Sequence, residues 1–311
     1  MSDRVLLVVN PAAGSGRTGH VFDDLRRPIE RALGAVDVEF TRAPGHASAI
    51  AREAATAGRR RIVAVGGDGT FSEVAAGVLE SRVPSAVGLI HQGTGGDFRR
   101  SLGLEHRLDR YLEAIARDAP EPLDAGLVRH RARDGAMRER FFVNALSVGM
   151  GGLVDRYVEE SKLGLSGTAA YLTASLEALA KGAAGRLTCQ VVEGGEERVE
   201  RLETRLLAVC NGRYFGGGMR IAPTAELCDG AFDVIALTGA ARLPLLRAMA
   251  SVYRGEHLEL AGVRHFRASE LSMELLGDAE QERFLLDVDG EWAGALPVTV
   301  RVLPRALRVL R

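Results

Sequence analysis

The sequence predicts two domains: an α/β domain with a mostly parallel sheet, followed by a β-rich antiparallel sandwich with inserted helices. The 311 residues exceed the length at which a single hydrophobic core usually stops growing. Short apolar runs alternate with helical patterns as far as residue 120, and strand-like segments dominate after it. We place the boundary near residues 120–124. Residues 1–123 and 295–311 are assigned to the first domain, and residues 124–294 to the second.

The first domain is predicted from apolar runs separated by helical spacing. Strands are predicted at residues 5–9, 36–41, 62–65 and 87–91. Helices are predicted around residues 22–33, 46–57 and 71–79. Strands separated by helices of this length imply right-handed crossovers and a mostly parallel, Rossmann-like sheet. In such sheets, ligands bind at the carboxyl ends of the strands.

The second domain is predicted from a change of pattern after Pro120. Strands are predicted at residues 141–148, 187–192, 199–209, 232–237, 271–275 and 283–288. Gly194-Gly195 stands between two of them and predicts a hairpin. Two helical segments, 167–181 and 243–254, interrupt the strands.

Charge and composition exclude some functions. Lys and Arg (40) nearly balance Asp and Glu (41), so the chain has no basic excess of the kind that duplex-binding proteins carry. Local basic clusters occur at Arg99-Arg100 and at Arg129, Arg131 and Arg133. A solvated surface, an anionic membrane surface and phosphate all remain open as explanations of these clusters.

The cysteines and the hydropathy pattern favour the cytoplasm. Cys189, Cys210 and Cys228 are odd in number and widely spaced, which indicates neither a disulfide framework nor a zinc site and fits a reducing compartment. No window approaches the roughly 18 unbroken apolar residues of a membrane span. Segment 163–184 is the nearest, and charged residues interrupt it. Any membrane contact is therefore expected to be peripheral.

The strongest motif follows the predicted strand at 62–65 and reads Gly66-Gly67-Asp68-Gly69-Thr70. Thr70 and Glu73 have the spacing of a capping box, which predicts a helix start at Thr70. Glycines let the backbone approach a ligand, and amides at a helix start favour phosphate. A carboxylate beside phosphates would repel them, so Asp68 indicates a Mg²⁺ site. A tight turn with Asp68 as a local cap is the alternative.

Two further strand ends carry loops of similar composition. Residues 10–16 read Asn-Pro-Ala-Ala-Gly-Ser-Gly, and residues 92–98 combine Gly93, Thr94 and Asp97. The first loop is not a Walker A loop, because no Gly-Lys-Ser/Thr closes it. Three such loops at neighbouring strand ends predict one shared crevice.

These motifs resemble the diacylglycerol kinase catalytic family, which includes soluble bacterial diacylglycerol kinases and the sphingosine and ceramide kinases. The resemblance extends through the whole chain. In the second domain it rests on Asn211-Gly212, Gly216-Gly217-Gly218, Ala222-Pro223, Asp229-Gly230 and Asp289-Gly290-Glu291. It implies ATP as co-substrate, Mg²⁺ as cofactor and a hydroxyl of a diacylglycerol-like or sphingoid lipid as acceptor.

The resemblance also implies roles for individual residues. The nucleotide would contact Asn10, Pro11, Ala12, Ala13, Gly14, Thr41, Gly66, Gly67, Asp68, Gly69, Thr70, Glu73 and Thr94. The catalytic Mg²⁺ would be organised by Asp68, Asp97 and Asp124. A second, structural Mg²⁺ would be held by Asp229 and by the carbonyls of Glu226 and Ala231. The general base would be Glu291, with Asp289 beside it. The end of the chain, 298–310, would pack back onto the first domain.

One position departs from the family pattern, since Gly96 stands where the third loop usually carries Asn. Two other functions remain open: an NAD kinase-like enzyme acting on a soluble substrate, and a nucleotide-binding regulator without catalysis. His46 and His91 are interpreted as cap or packing residues, and Trp292 as a core residue. The identity of the lipid and the oligomeric state, a homodimer included, are not determined by the sequence.

Overall fold

The computed structural model describes residues 4–151, 184–238, 251–277 and 284–311, which divide into two compact units. Unit 1 comprises residues 4–124 and 305–311, and unit 2 comprises the described part of 125–304. Residues 295–304 were predicted to belong to the first domain and instead lie in unit 2. The reason is that residues 298–301 pair with a strand of that unit.

Unit 1 is built from parallel strands and helices. Its strands are β1 (Leu6–Val9), β2 (Asp37–Phe40), β3 (Arg61–Gly66) and β4 (Ala86–His91), joined by the end of the last strand, β14 (Glu291–Leu310). Its helices are α1 (Arg17–Leu33), α2 (His46–Thr56), α3 (Asp68–Ser81), α4 (Asp97–Ser101) and α5 (Leu108–Ala116). The strand order is β14-β4-β3-β1-β2, and all four pairings are parallel.

Burial on both faces explains the apolar runs of unit 1. Every residue of β1 and β4 is buried. Residues 5, 7 and 9 belong to one core cluster with the apolar side chains of α1 and α5, whereas α2 packs against α3. The four predicted strands and three predicted helices are confirmed within a few residues. Helices α4 and α5 were not predicted.

Unit 2 is built from antiparallel strands. After β5 (Glu121–Ala132), which begins in unit 1, the strands are β6 (Met137–Phe142), β7 (Ala145–Gly149), β8 (Gly185–Glu193), β9 (Glu196–Cys210), β10 (Phe232–Thr238), β11 (Val263–Ala268), β12 (Glu270–Leu275), β13 (Leu285–Val288) and most of β14. A short 3₁₀ helix spans His257–Glu259. The main order is β11-β10-β9-β7-β13-β14, and β12 pairs with both β14 and β8.

The hairpin predicted at Gly194-Gly195 is confirmed by the pairing of β8 with β9. The single strand predicted at 141–148 is wrong, because β6 ends at Phe142 and β7 begins at Ala145. Instead of joining a ladder, the amides of Val143 and Asn144 donate to a carboxylate of the last hairpin. Strands β5, β11 and the long β14 were not predicted.

The predicted helix at 167–181 lies outside the described residues, as does all but the last four residues of the helix predicted at 243–254. Within the described ranges, no helix is both long enough and apolar enough to cross a lipid bilayer.

Candidate active site

The loops after β1 and β3 are joined by a side-chain hydrogen bond. Asn10 Nδ2 donates to Thr70 Oγ1 at 3.0 Å, and Asn10 Oδ1 accepts from the amide of Ala12 at 3.0 Å. The backbone amide of Asn10 also donates to the carbonyl of Val65 at 3.0 Å. Asn10 therefore fixes the first loop against the start of α3.

The loop after β4 lies against both of the others. A Cβ added to Gly93 would come within 2.6 Å of the Cα of Gly67, and one added to Gly14 would come within 2.6 Å of the carbonyl oxygen of Gln92. Real Cβ atoms do not approach backbone this closely, so glycine is required at both positions. The three strand-end loops thus meet at one place in unit 1, as the sequence predicts.

Helix α3 begins differently from the prediction. It starts at Asp68, with Gly67 as N-cap and without a side-chain cap. The capping box is wrong because both of its side chains bind elsewhere. Thr70 accepts from Asn10, and Glu73 Oε2 accepts from the amide of Ala47 at 3.0 Å, in the first turn of α2.

Asp68 has one bound and one available carboxylate oxygen. Its Oδ2 accepts from the amides of Gly96 and Asp97 at 2.7 and 3.0 Å. Its Oδ1 is buried and has no hydrogen-bond partner among the described residues. A buried acceptor without a partner is costly in a native protein, so this oxygen indicates a ligand site. Carboxylates commonly hold Mg²⁺ directly or through water. The position of Oδ1 therefore fits a Mg²⁺ that is also bound to nucleotide phosphates.

His91 ends β4 directly beside this carboxylate. Its Nε2 lies 3.8 Å from Asp68 Oδ1, and both ring nitrogens are buried without hydrogen-bond partners in the described residues. Burial lowers the pKa of His91 to about 4, with further contributions from His106, Arg99 and Arg100. The interpretation of His91 as a packing residue leaves these two nitrogens unexplained. Its place at the carboxyl end of a central parallel strand is the signal that could have identified it.

The other two predicted Mg²⁺ residues of unit 1 have protein partners. Asp97 Oδ1 accepts from Arg100 Nη1 at 2.9 Å, and Asp124 Oδ1 accepts from the amide of Arg305 at 2.7 Å. Asp124 therefore attaches the terminal segment to β5 within unit 1. The predicted roles of Asp97 and Asp124 toward a cation stay predictions.

The backbone explains why glycine is accepted at position 96. Gly96 is the N-cap of α4 and has a φ of 86°, in the left-handed region. Glycine and asparagine are the residues that adopt this conformation most readily. Replacing Asn by Gly therefore keeps the turn and removes only the side-chain amide.

The remaining predicted nucleotide-binding residues lie on or next to the three loops. The carbonyls of Pro11 and Ala13 accept from the amides of Gly19 and Thr18, and the amide of Thr41 donates to Val9 at 2.8 Å. Gly69 lies in the first turn of α3, and Thr94 is exposed in the loop after β4.

The late acidic motif of unit 2 forms a tight hairpin. Asp289 and Gly290 have φ of 52° and 85° and connect Val288 to its partner Glu291 in a two-residue turn. The Asp289 carboxylate accepts from three successive amides, those of Val143, Asn144 and Ala145, at 3.0 to 3.1 Å. This carboxylate holds the start of β7.

Glu291, the predicted general base, is half exposed and pairs with Arg140. Its Oε2 lies 3.0 Å from Arg140 Nη2. Sequence reasoning missed Arg140, because the contact joins residues that are 151 positions apart. Because Oε2 is occupied by Arg140, a substrate hydroxyl would have to displace or share that contact to reach this oxygen.

The predicted structural Mg²⁺ site has a different arrangement. The Asp229 carboxylate pairs with the Arg267 guanidinium and accepts from the amide of Ala231, while Glu226 is exposed. Across the ranges that the structure describes, no group of three or more His, Cys, Asp and Glu side chains could hold a metal. The predicted roles of Asp229, Glu226 and Ala231 toward a cation stay predictions.

Comparison with known families agrees with the two units. The diacylglycerol kinase catalytic domain matches residues 4–128, and the YegS C-terminal NAD kinase beta sandwich-like domain matches residues 144–311. These matches define a two-domain kinase-type protein whose second domain is β-sandwich-like. More particularly, residues 4–128 belong to the diacylglycerol kinase catalytic family.

Individual relatives match along their whole length. The chain is 28% identical to a diacylglycerol kinase of Mycobacterium tuberculosis over 310 residues, which cover 99% of this chain and 95% of the relative. A crystal structure of a diacylglycerol kinase from Bacillus anthracis superposes with a TM-score of 0.72 at 20% identity, covering 99% and 96% of the two chains. Yeast NADH kinase superposes with a TM-score of 0.51 at 12% identity, covering 98% and 82%. The two structural likenesses show the fold alone.

Proposed function

We propose that the protein is an ATP- and Mg²⁺-dependent kinase that transfers the γ-phosphoryl group to a hydroxyl of a diacylglycerol-like or sphingoid lipid. The observation that carries the proposal is the meeting of three glycine-rich loops around Asp68, whose Oδ1 has no partner in the described residues. Unit 1 is then a Rossmann-like nucleotide-binding domain, and the β-sandwich-like unit 2 supplies the lipid site. The names of the relatives support the class of acceptor.

Phosphoryl transfer depends mainly on positioning and on neutralising charge. When bound, Mg²⁺ supplies much of that neutralisation. The chain's own part is to present loop amides to the phosphates and to hold Asp68 by the amides of Gly96 and Asp97. Glu291 is the predicted base that orients the acceptor hydroxyl, and Arg140 contacts its carboxylate.

The direct test is incubation with radiolabelled ATP and Mg²⁺ in the presence of diacylglycerol, a sphingoid base or a total lipid extract. We expect labelled phospholipid, and none from an Asp68→Asn variant treated identically. Absence of label in every lipid, with a wild-type protein that binds Mg²⁺-ATP, would contradict the proposed acceptor.

A second candidate is the phosphorylation of a soluble dinucleotide. It is favoured by the NAD kinase-like second domain and by the structural likeness to yeast NADH kinase. The same labelled ATP with NAD as acceptor distinguishes the two, because label would enter a water-soluble product.

A lipid kinase has to reach its substrate in a membrane, and we propose that contact is peripheral and made from the cytoplasm. The β5–β6 hairpin carries the exposed side chains of Arg129 and Arg131, next to the exposed Met137. Arginines near an anionic surface each favour binding by about 1 kcal/mol. Replacing Arg129 and Arg131 by Glu should weaken sedimentation with phosphatidylglycerol vesicles. Replacing Arg27 and Arg31 on α1 by Glu, as a control of equal charge change, should not.

A further inference from the structure

Two buried polar atoms without partners face each other at the end of β4. One is Asp68 Oδ1 and the other is His91 Nε2, 3.8 Å away. Each would be costly to bury alone, and the two are chemically complementary, because a carboxylate only accepts and an imidazole N–H donates. Neither the proposed reaction nor the packing of the loops explains the pair.

The His91 ring is held firmly enough to act as a donor. Its side chain is 2% exposed, and it packs edge-on against His106 with ring centroids 5.3 Å apart. His106 is held in turn, since its Nδ1 lies 2.9 Å from the Tyr111 hydroxyl. On the opposite side, a Cβ on Gly93 would lie 3.3 Å from His91 Nε2, so the loop backbone closes over the ring.

Either nitrogen of an imidazole ring can carry a hydrogen and donate it. In the described residues neither nitrogen has another partner, so the tautomer is chosen by the nearest acceptor. That acceptor is Asp68 Oδ1. A hydrogen bond requires the two atoms to come about 1 Å closer than their 3.8 Å separation.

We propose that His91 is a positioning residue, which donates Nε2–H to Asp68 Oδ1 and sets the orientation in which this carboxylate meets a Mg²⁺–nucleotide complex. The inference rests on the proposed function. Oδ1 has two lone pairs, so it accepts from His91 and still faces the metal or its water. Groups that orient metal-binding side chains typically change metal affinity by about 10- to 100-fold when they are removed.

The test measures the affinity of the protein for a fluorescent ATP analogue, with Mg²⁺ and with EDTA. His91→Leu removes the donor, and His91→Gln keeps an N–H close to the position of Nε2. We expect His91→Leu to weaken binding about 10-fold with Mg²⁺ and less than about 2-fold with EDTA. We expect His91→Gln to recover most of the difference.

A matched control is His130→Leu, since His130 is also buried with an unpartnered Nδ1 but belongs to unit 2. It should leave both affinities unchanged. In an Asp68→Asn background, His91→Leu should add almost nothing, because the two residues act through one interaction.

Equal losses with Mg²⁺ and with EDTA would overturn the inference, since His91 would then only shape the pocket. So would an undiminished effect of His91→Leu in the Asp68→Asn background. A wild-type protein whose nucleotide binding does not respond to Mg²⁺ would overturn the proposed function as well.

Discussion

Two aspartates in glycine-rich motifs, one in each unit, are bound by backbone amides in different ways. In unit 1, two amides bind a single oxygen of Asp68 and leave the other without a partner in the described residues. In unit 2, three amides bind both oxygens of Asp289. Asp68 therefore keeps one oxygen available to a ligand in unit 1, whereas Asp289 stabilises the fold of unit 2.

The largest effect is expected from Asp68→Asn. The amide keeps the shape of the side chain, and its oxygen can still accept both backbone bonds, but it loses the charge that a cation needs. We expect kcat for lipid phosphorylation to fall by about 10³-fold, with little change in melting temperature. Asp24→Asn, which neutralises an exposed carboxylate of α1, is the control and should be silent. Near-normal turnover by Asp68→Asn would contradict the assignment of the active site to Asp68 and its loops.

A somewhat smaller effect is expected from Glu291→Gln. If Glu291 is the general base, kcat should fall by about 10²-fold with KM nearly unchanged. Arg140→Met removes the ion pair and keeps the carboxylate, so it separates the two roles. We expect this variant to retain most of kcat. Equal losses of kcat in both variants would mean that the ion pair itself, rather than proton acceptance, is what matters.

Asp289→Ala should lower the stability of the protein. Three amides would lose a charged acceptor, and a residue other than Asn, Asp or Gly would have to hold a φ of 52°. We expect a loss of about 3 kcal/mol in the free energy of unfolding, measured with urea. Asp289→Asn should lose less, because it keeps one acceptor and tolerates the turn. An unchanged stability with a large loss of kcat would place Asp289 in catalysis instead.

The smallest effect is expected from pH. Burial lowers the pKa of His130 and of His257 in unit 2. The charges of Arg140 and Arg138 lower the pKa of His130 further, and the charge of His265 lowers that of His257. The unfolded chain then binds more protons as pH falls below about 6.5, so stability is present above that pH and decreases below it. Urea midpoints at pH 7 and pH 5 measure the decrease. His130→Leu should reduce it, and an unchanged slope would contradict the assignment.

The alternation of strands and helices in unit 1 could be predicted because β1, β3 and β4 are almost entirely buried, which leaves a continuous apolar signature. Strand β14 could not. Its inward residues alternate with exposed ones, Pro297 and Pro304 interrupt it, and one half pairs in unit 2 while the other pairs in unit 1. The two prolines and the change of partner between the units hide the alternation that would mark it as one strand.

The candidate site also combines features that could be predicted from the sequence with features that could not. Asp68 could be found because its glycines and strand end lie within a few residues of one another. The contact of Asn10 with Thr70 joins positions 60 apart in the sequence. The binding of Asp68 by the amide of Gly96 and the approach of His91 to Asp68 also join residues of different loops. The capping box failed for this reason, since tertiary partners took both of its side chains. The pairing of Asp229 with Arg267 could not be predicted either, because Arg267 lies on strand β11, in a different part of the sequence.

The most direct test of the account is a crystal structure with Mn²⁺, in place of Mg²⁺, and a non-hydrolysable ATP analogue. We expect phosphates against the loops that begin at Asn10, Gly66 and Gln92, and an anomalous Mn²⁺ peak whose nearest protein oxygen is Asp68 Oδ1. A nucleotide bound elsewhere, or a metal held at Asp229 with Asp68 Oδ1 still unpartnered, would contradict it.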